Sequence, residues 1–289
     1  MAVSAAMVKE LRELTGLGMM DCKKALTESD GDMNLAIESL RRNSAVKAAK
    51  KADRTASEGL LGVRVADDGS YAVLVEVNIE TDFAARDESF AAFVRRVRDV
   101  AFEKRTSDLG ALLAGGLDAE REKLVQSIGE NVSVRRIALL EAPGGQVASY
   151  LHADNRKASL VAVIGGDDEL RRDVAMHVTA SKPMVVSGAD VAPEIVEKER
   201  EIFTAQAQDS GKPAEIIAKM VEGRVRKFLA EISLLEQPFV KDPNVRVGQL
   251  LSQKNARCSG FVRYEVGEGI DKVETDFAAE VAAQVRGKG

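Results

Sequence analysis

The amino-acid sequence predicts an α+β protein with an N-terminal three-helix bundle, a core of two related α+β subdomains and an inserted antiparallel coiled-coil hairpin. Apolar residues follow helical spacing near the N-terminus, alternate with period two from Gly59, and return to helical spacing between Pro193 and Ile232. A pattern of strand, turn, strand and helix begins near Leu61 and again near Val147. This repetition predicts two related subdomains.

Residues 1–54 are predicted to form the three-helix domain and a linker. Gly16 and Gly18 interrupt the first helix, the second is expected from about Met19 to Ser29, and Asp32 is a suitable N-cap for the third. The buried faces are expected to contain the apolar residues at helical spacing, namely Met7, Val8, Leu11, Leu14, Met33, Ala36, Ile37 and Leu40.

The end of this region, Arg41–Arg54, is basic and rich in alanine. We interpret it as a helical or flexible linker. A nucleic-acid-binding patch is the alternative, but the segment lacks the interleaved aromatic residues that stack on bases. The formal net charge of −5 also argues against direct nucleic-acid binding as the main role of the chain.

The core is predicted to contain a first subdomain, residues 55–141, and a second one, residues 142–186 and 233–266. The expected strands of the first are Leu61–Val65, Tyr71–Val77 and Val132–Glu141, with a helix from about Phe83 to Glu103. The expected strands of the second are Val147–Leu151, Ser159–Ile164 and Arg257–Val266, with a helix from about Glu169 to Ala180.

Residues 187–232 are predicted to form the inserted hairpin. Two strongly helical segments, Pro193–Gln208 and Pro213–Ile232, are joined by Ser210-Gly211-Lys212, and each begins with a proline, which suits the first helical turn. The apolar stripes contain Ile195, Ile202 and Phe203 on one helix and Ile216, Met220, Val221, Val225 and Phe228 on the other. Such a projection predicts an interface, either with a partner or in a homodimer.

The sequence shows no motif for chemistry. It has no phosphate-binding loop, its two histidines (His152 and His177) are not in a zinc motif, and its two cysteines (Cys22 and Cys258) are far apart without a neighbouring histidine. We therefore expect no enzymatic activity, cofactor or metal site. No apolar run approaches the roughly 20 residues that span a bilayer, so we expect a cytoplasmic protein without membrane contact.

The hexapeptide Glu-Thr-Asp-Phe-Ala-Ala occurs at residues 80–85 and again at residues 274–279. The simplest interpretation is a helix start, in which Asp or Thr is the cap and Phe packs beneath it. We favour this for the second copy. In the first copy, core residues are already supplied by the following helix, so Phe83 is expected to point outward at a tip, with Asp82 capping its helix.

Several long motifs make the sequence similar to bacterial elongation factor Ts over essentially the whole chain. They are Val8-Lys9-Glu10-Leu11-Arg12 with Thr15-Gly16, Gly18 to Leu26, Glu80 to Phe83, Ala175 to Val178 with Ser181-Lys182-Pro183, Gln237 to Val240, and Val273 to Val281. The resemblance implies that the N-terminal bundle is similar to ubiquitin-associated domains and that residues 267–289 form a C-terminal helical module.

The resemblance also implies a function. The chain would bind elongation factor Tu, both GDP-bound and nucleotide-free, and promote exchange of GDP for GTP. The tip would dislocate the partner's Mg²⁺ by inserting Phe83 near the nucleotide, and it comprises Thr81, Asp82, Phe83 and Ala84, where many members have valine in place of Ala84. Further partner contacts would come from Met19, Met20, Lys23, His152, Val240 and Phe277.

Alternatives remain for several of these residues. Met19 and Met20 could instead be core residues of the bundle, and Asp82 could compete directly for Mg²⁺ rather than cap a helix. The bundle alone would suit a ubiquitin-associated-type or chaperone-like binding module without exchange activity. An enzyme without a recognisable motif is the third hypothesis, with Asp82 or His152 as its first candidate residues.

Overall fold

The first three helices form a bundle. A computed structural model of the chain describes residues 3–208 and 213–271. It shows α1 (Ala5–Thr15), α2 (Met19–Glu28) and α3 (Met33–Ala49). Asp32 caps α3 as predicted, since its carboxylate accepts a hydrogen bond from the Leu35 amide. The buried core of the bundle contains Val8, Leu11, Leu17, Cys22, Ala25, Leu26, Ala36 and Leu40.

One detail of the bundle differs from expectation. Leu14, expected on the buried face, is 61% exposed. It lies next to the end of α1, where the chain turns away at Gly16 with a φ of 72°. The predicted linker is helical in its first part, which is one of the two forms expected for it. There α3 continues as far as Ala49, in keeping with the high helix propensity of alanine, lysine and arginine.

The first half of the core is a three-stranded antiparallel sheet with helices between its second and third strands. Its elements are β1 (Glu58–Val65), β2 (Tyr71–Ile79), α4 (Asp82–Ala85), α5 (Glu88–Glu103), α6 (Leu109–Leu112), a π-helical segment (Leu113–Leu117), α7 (Asp118–Ile128) and β3 (Val132–Glu141). The strand order is β1-β2-β3. All three predicted strands are present.

The single helix predicted from about Phe83 to Glu103 is wrong, because α4 and α5 are separate. The Arg86 amide donates to the Phe83 carbonyl at 3.2 Å, which closes a tight turn at the end of α4. The Asp87 carboxylate then accepts from the Ser89 amide at 2.8 Å and caps α5. A capping aspartate within a helical pattern therefore starts a new helix without any glycine or proline.

The second half of the core has a sheet of the same kind. Its elements are β4 (Gln146–Leu151), β5 (Lys157–Ile164), α8 (Asp168–Ser181), α9 (Pro193–Gln208), α10 (Ala214–Ile232), β6 (Pro238–Phe239), β7 (Asp242–Arg246), α11 (Val247–Gln253) and β8 (Arg257–Glu265). The strand order is β4-β5-β8, and β6 and β7 form a separate two-stranded sheet. β6, β7 and α11 were not predicted from the sequence.

The two large sheets pack against each other. Their shared core contains Leu61, Ala72 and Leu74 from the first sheet with Val147, Ala158, Leu160 and Ala162 from the second. The outer face of the first sheet is covered by α5 and α7, and the outer face of the second by α8 and α11. The result is a layered mixture of helix and sheet, which confirms the predicted α+β class. The domain boundaries and the likeness of the bundle to ubiquitin-associated domains stay predictions.

The two halves share their topology and an irregularity. In each, the third strand lies beside the second, after an intervening helical connection. A β-bulge interrupts the pairing of the second and third strands in both sheets, at Glu76/Val77 in the first and at Ala162/Val163 in the second. This correspondence supports the prediction of two related subdomains.

The bulge in the first sheet brings Glu76, Arg135 and Arg136 together in an ionic cluster, which we call the ionic joint. Because it adds one residue to β3, both Arg135 and Arg136 face the carboxylate of Glu76, at 3.1 Å and 2.5 Å. The same carboxylate accepts from the Gly267 amide at 2.9 Å, and Arg136 donates to the Glu265 carbonyl. Glu76 is fully buried, and it connects the first sheet to the residues that follow β8.

The inserted hairpin is an antiparallel pair of helices. Ion pairing between Arg200 and Glu222 joins α9 to α10, and its apolar seam contains Val196, Phe203, Ala207, Ile217, Val221, Val225 and Leu229. Ile195, Ile202 and Ile216, expected in the stripes, are instead substantially exposed. At the base, the Met184 amide donates to the Ile232 carbonyl at 2.8 Å. Homodimer contacts through the hairpin stay a prediction.

Candidate functional site

The first copy of the hexapeptide forms an exposed tip, as predicted. It contains the one-turn helix α4, at the end of β2, and Phe83 on that helix is 79% exposed. The next residues anchor the turn, since Ala85 is buried in the core of the first half and Ala84 packs partly against it. The tip therefore presents one aromatic ring to solvent from a short, anchored helix.

The cap of this helix is Thr81, and the prediction that Asp82 caps it is wrong. Thr81 has extended backbone angles and its hydroxyl accepts from the Ala84 amide at 3.2 Å. Asp82 is already the first helical residue, so its carboxylate cannot take the cap position. It instead accepts from the Arg86 guanidinium at 2.8 Å, one helical turn away. That carboxylate also suits the positive end of the helix dipole.

The Glu130 carboxylate contacts the tip, and this residue was not predicted from the sequence. Both of its oxygens accept hydrogen bonds from Thr81, although the two residues are 49 positions apart. No periodicity or spacing reveals a contact over such a distance. The signal that was available is a charged side chain directly after the glycine that ends α7.

The bundle presents a second apolar surface. Met19 and Met20 are 56% and 75% exposed, and Lys23 is exposed on the same helix, α2. The alternative that both methionines belong to the bundle core is therefore wrong. Cys22, between Met20 and Lys23, is buried, as expected for a small apolar residue. Flexible methionine side chains suit adaptable protein interfaces.

His152 lies in the turn between β4 and β5, with its side chain exposed. This turn contacts the beginning of β1, because the Leu61 amide donates to the Asn155 carbonyl at 2.8 Å and Arg156 forms an ion pair with Glu58. Glu58 in turn pairs with Ile79, the last residue of β2 before the tip. His152 and the tip are thus at the same end of the two sheets.

Val240 belongs to the turn between β6 and β7 and is 43% exposed. Its amide donates to Nδ1 of His177 at 3.1 Å, so Nε2 of that ring carries the proton and donates to Gln237 at 2.9 Å. Burial lowers the pKa of His177, partly opposed by the Gln237 hydrogen bond. His177 is therefore a packed core histidine, as expected, and it fixes the turn that contains Val240.

Phe277 and the predicted C-terminal helical module beyond residue 271 lie outside the described residues. Within the described part of the chain, no group of histidine, cysteine and acidic side chains could hold a metal ion. No helix there is long and apolar enough to cross a bilayer. Burial raises the pKa of the Cys258 thiol to about 11, which makes it a poor nucleophile at neutral pH.

Comparison with known proteins identifies the family. Residues 80–268 match the family model described as elongation factor TS. The chain belongs to the elongation factor Ts family. Elongation factor Ts of Saccharophagus degradans is 60% identical over 285 residues, which cover 99% of this chain and 98% of that protein. Elongation factor Ts of Hahella chejuensis is 59% identical over 286 residues, 99% of each chain. The family assignment of the sequence analysis is thus confirmed.

Proposed function

We propose that the chain binds elongation factor Tu, GDP-bound and nucleotide-free, and promotes the exchange of GDP for GTP. The observation that carries this proposal is the exposed Phe83 on an anchored one-turn helix, in a member of the elongation factor Ts family. Phe83 acts as a wedge near the partner's Mg²⁺ and nucleotide site. Thr81, Asp82 and Ala84 support the ring, and Asp82 does so as an ion-paired first-turn residue rather than as a metal ligand.

Linkage explains how a wedge can release a nucleotide. Mg²⁺ requires near-ideal octahedral geometry, so displacing its protein ligands weakens its hold on the phosphates. If the factor weakens the binding of the nucleotide, the nucleotide weakens the binding of the factor to the same degree. Burial of one phenylalanine contributes roughly 2 kcal/mol, which is a factor of about thirty in an equilibrium constant. The tip can therefore contribute a factor of about thirty to the coupling.

Further contacts supply the rest of the binding energy. Met19, Met20 and Lys23 on the bundle form one docking surface, and His152 and Val240 contribute from the second half of the core. Phe277 completes the set from the C-terminal segment. Because these surfaces lie on one folded chain, binding through one of them raises the effective concentration of the others at the partner.

We infer that the exchange needs no chemistry from this chain. Asp82 is paired with Arg86, and Nδ1 of the His152 ring lies 3.4 Å from the hydroxyl of Tyr150. The chain would act in the cytoplasm without a cofactor, nucleic acid or membrane. A ubiquitin-associated-type or chaperone-like binding module is the second candidate, favoured by the exposed methionines of the bundle.

The test is release of a fluorescent GDP from purified elongation factor Tu. The wild-type chain should accelerate release in substoichiometric amounts, and Phe83→Ala should slow it about thirty-fold, for loss of roughly 2 kcal/mol of apolar burial. The unfolding midpoint in urea should not change, because Phe83 is already exposed in the free chain. Met184→Ala is the matched control, since it trims an exposed apolar side chain that lies outside the hairpin and the proposed contacts.

The outcomes separate the candidates. Normal exchange by Phe83→Ala would refute the wedge. A wild-type chain that binds elongation factor Tu without accelerating release would instead support the binding-module alternative.

A further inference from the structure

The turn at residues 129–131, between α7 and β3, holds the tip through hydrogen bonds. The Thr81 amide donates to Oε2 of Glu130 at 3.0 Å, and the Thr81 hydroxyl donates to Oε1 at 2.7 Å. One half-buried carboxylate thus uses both oxygens on a single residue. Hydrogen bonds to an ionised acceptor are about twice as strong as bonds between neutral groups.

These bonds also orient the helix cap. A hydroxyl donates one hydrogen bond and accepts others. Because the Thr81 hydroxyl gives its proton to Glu130, its lone pairs are free to accept from the Ala84 amide at 3.2 Å. Glu130 therefore fixes the rotamer in which Thr81 caps α4. Such help matters here, since a helix of one turn has little stability of its own.

The same turn holds the linker from the bundle. The Asn131 amide donates to Glu80 at 2.6 Å, and its side-chain nitrogen donates to the carbonyls of Ala52 and Arg54 at 3.2 Å and 2.8 Å. Asn131 is almost fully buried. The ammonium of Lys51 donates to the Gly129 carbonyl. Tip and linker are thus attached to one support of three residues.

We propose that Glu130 is a positioning residue for Phe83, which it holds at a fixed angle through the cap of α4. This proposal rests on the exchange function for its consequence, but the positioning itself is a property of the free chain. Glu130→Gln replaces one acceptor oxygen with an amide NH2 group, which can only donate and would face a donor on Thr81. The tip should then become mobile while the sheets and helices remain folded.

The first experiment measures mobility without the partner. The chain contains no tryptophan, so Phe83→Trp introduces a single reporter on the tip. In that background, Glu130→Gln should lower the fluorescence anisotropy of the tryptophan, and the matched change Glu103→Gln, at an exposed glutamate near the end of α5, should not. Circular dichroism in urea shows that each variant is fully folded when measured. Unchanged anisotropy in Glu130→Gln would overturn the proposal.

The second experiment measures exchange with Phe83 in place. Glu130→Gln should lower the maximal rate of GDP release by roughly tenfold, the equivalent of one charge-assisted hydrogen bond. The concentration of factor at half-saturation should change much less, because the docking surface on α2 is untouched. A merely destabilised chain would show no such split. Full exchange by Glu130→Gln would contradict the role in exchange.

The combined results of the two experiments distinguish a wrong positioning proposal from a wrong exchange function. If the wild-type chain released no GDP while Glu130→Gln lowered the anisotropy, the exchange function would be refuted and the positioning of the tip retained. If the wild-type chain exchanged GDP and the anisotropy did not respond, the positioning would be refuted and the exchange function retained.

Discussion

At the scale of single residues, the polar and apolar residues of the tip have different roles: Thr81 caps α4 and Phe83 is exposed. Phe83 faces solvent, whereas Phe90 and Phe93 a few positions later are buried in the core. The outward direction of Phe83 could be predicted because the core had enough apolar residues without it. The cap could not, because Thr81 and Asp82 are both good capping residues and adjacent, and only the backbone decides between them.

Substitutions at these two neighbours should have unequal effects. Thr81→Val keeps the shape but loses the cap and the donor to Glu130, so we expect it to lower the free energy of unfolding by about 1–2 kcal/mol. Asp82→Asn loses one exposed ion pair at a spacing of four residues and should lower it by less than about 0.5 kcal/mol. Urea unfolding followed by circular dichroism measures both. A larger effect at Asp82 would show that the cap is assigned to the wrong residue.

At the scale of elements, most strands and helices follow from local patterns. The strands alternate or are continuously apolar, and each hairpin helix has a proline at or directly before its first residue, so their positions could be predicted. The small sheet of β6 and β7 could not, because β6 is two residues long and gives no periodic signal. The contact between Thr81 and Glu130 could not be predicted from the sequence for another reason, because the two residues come together only when the sheet forms.

The link between α8 and the β6–β7 turn predicts a pH dependence. Burial lowers the pKa of His177 below the ordinary value of 6.5, so the unfolded chain takes up a proton before the folded chain does. The contribution to stability is complete above about pH 6.5 and falls as the pH decreases toward the lowered pKa. The slope is at most about 1.4 kcal/mol per pH unit for one proton.

Urea unfolding at a series of pH values measures this contribution. His177→Gln should lose this component of the pH dependence, whereas His152→Gln should keep it, because His152 is exposed. Identical pH profiles for the wild type and His177→Gln would contradict the assignment.

At the scale of the whole molecule, the ionic joint at Glu76 connects the first sheet to the residues after β8. We expect Glu76→Gln to lower the free energy of unfolding by about 2–3 kcal/mol, since it leaves two arginines facing a neutral side chain. This is somewhat less than for a fully buried pair, because both arginines are partly exposed.

Glu141→Gln is the matched control for this joint. Glu141 lies on β3, the strand paired with the β2 strand that contains Glu76. Its ion pair with Arg105 is about half exposed, so its loss should lower the free energy of unfolding by less than about 1 kcal/mol. Chemical unfolding of both variants decides the matter. Equal losses would mean that the joint adds nothing beyond a surface pair.

The shared topology of the two halves has a consequence for how the tip can vary. Both halves connect their second strand to a helix, but the second half does so with Gly165, Gly166 and the capping Asp167 alone. The first half uses residues 80–87 for the same connection. The fold can therefore connect the second strand to the helix without a tip. The tip is an insertion that this connection does not require. Evolution can thus reshape the tip for a changed partner while leaving the architecture that carries it intact.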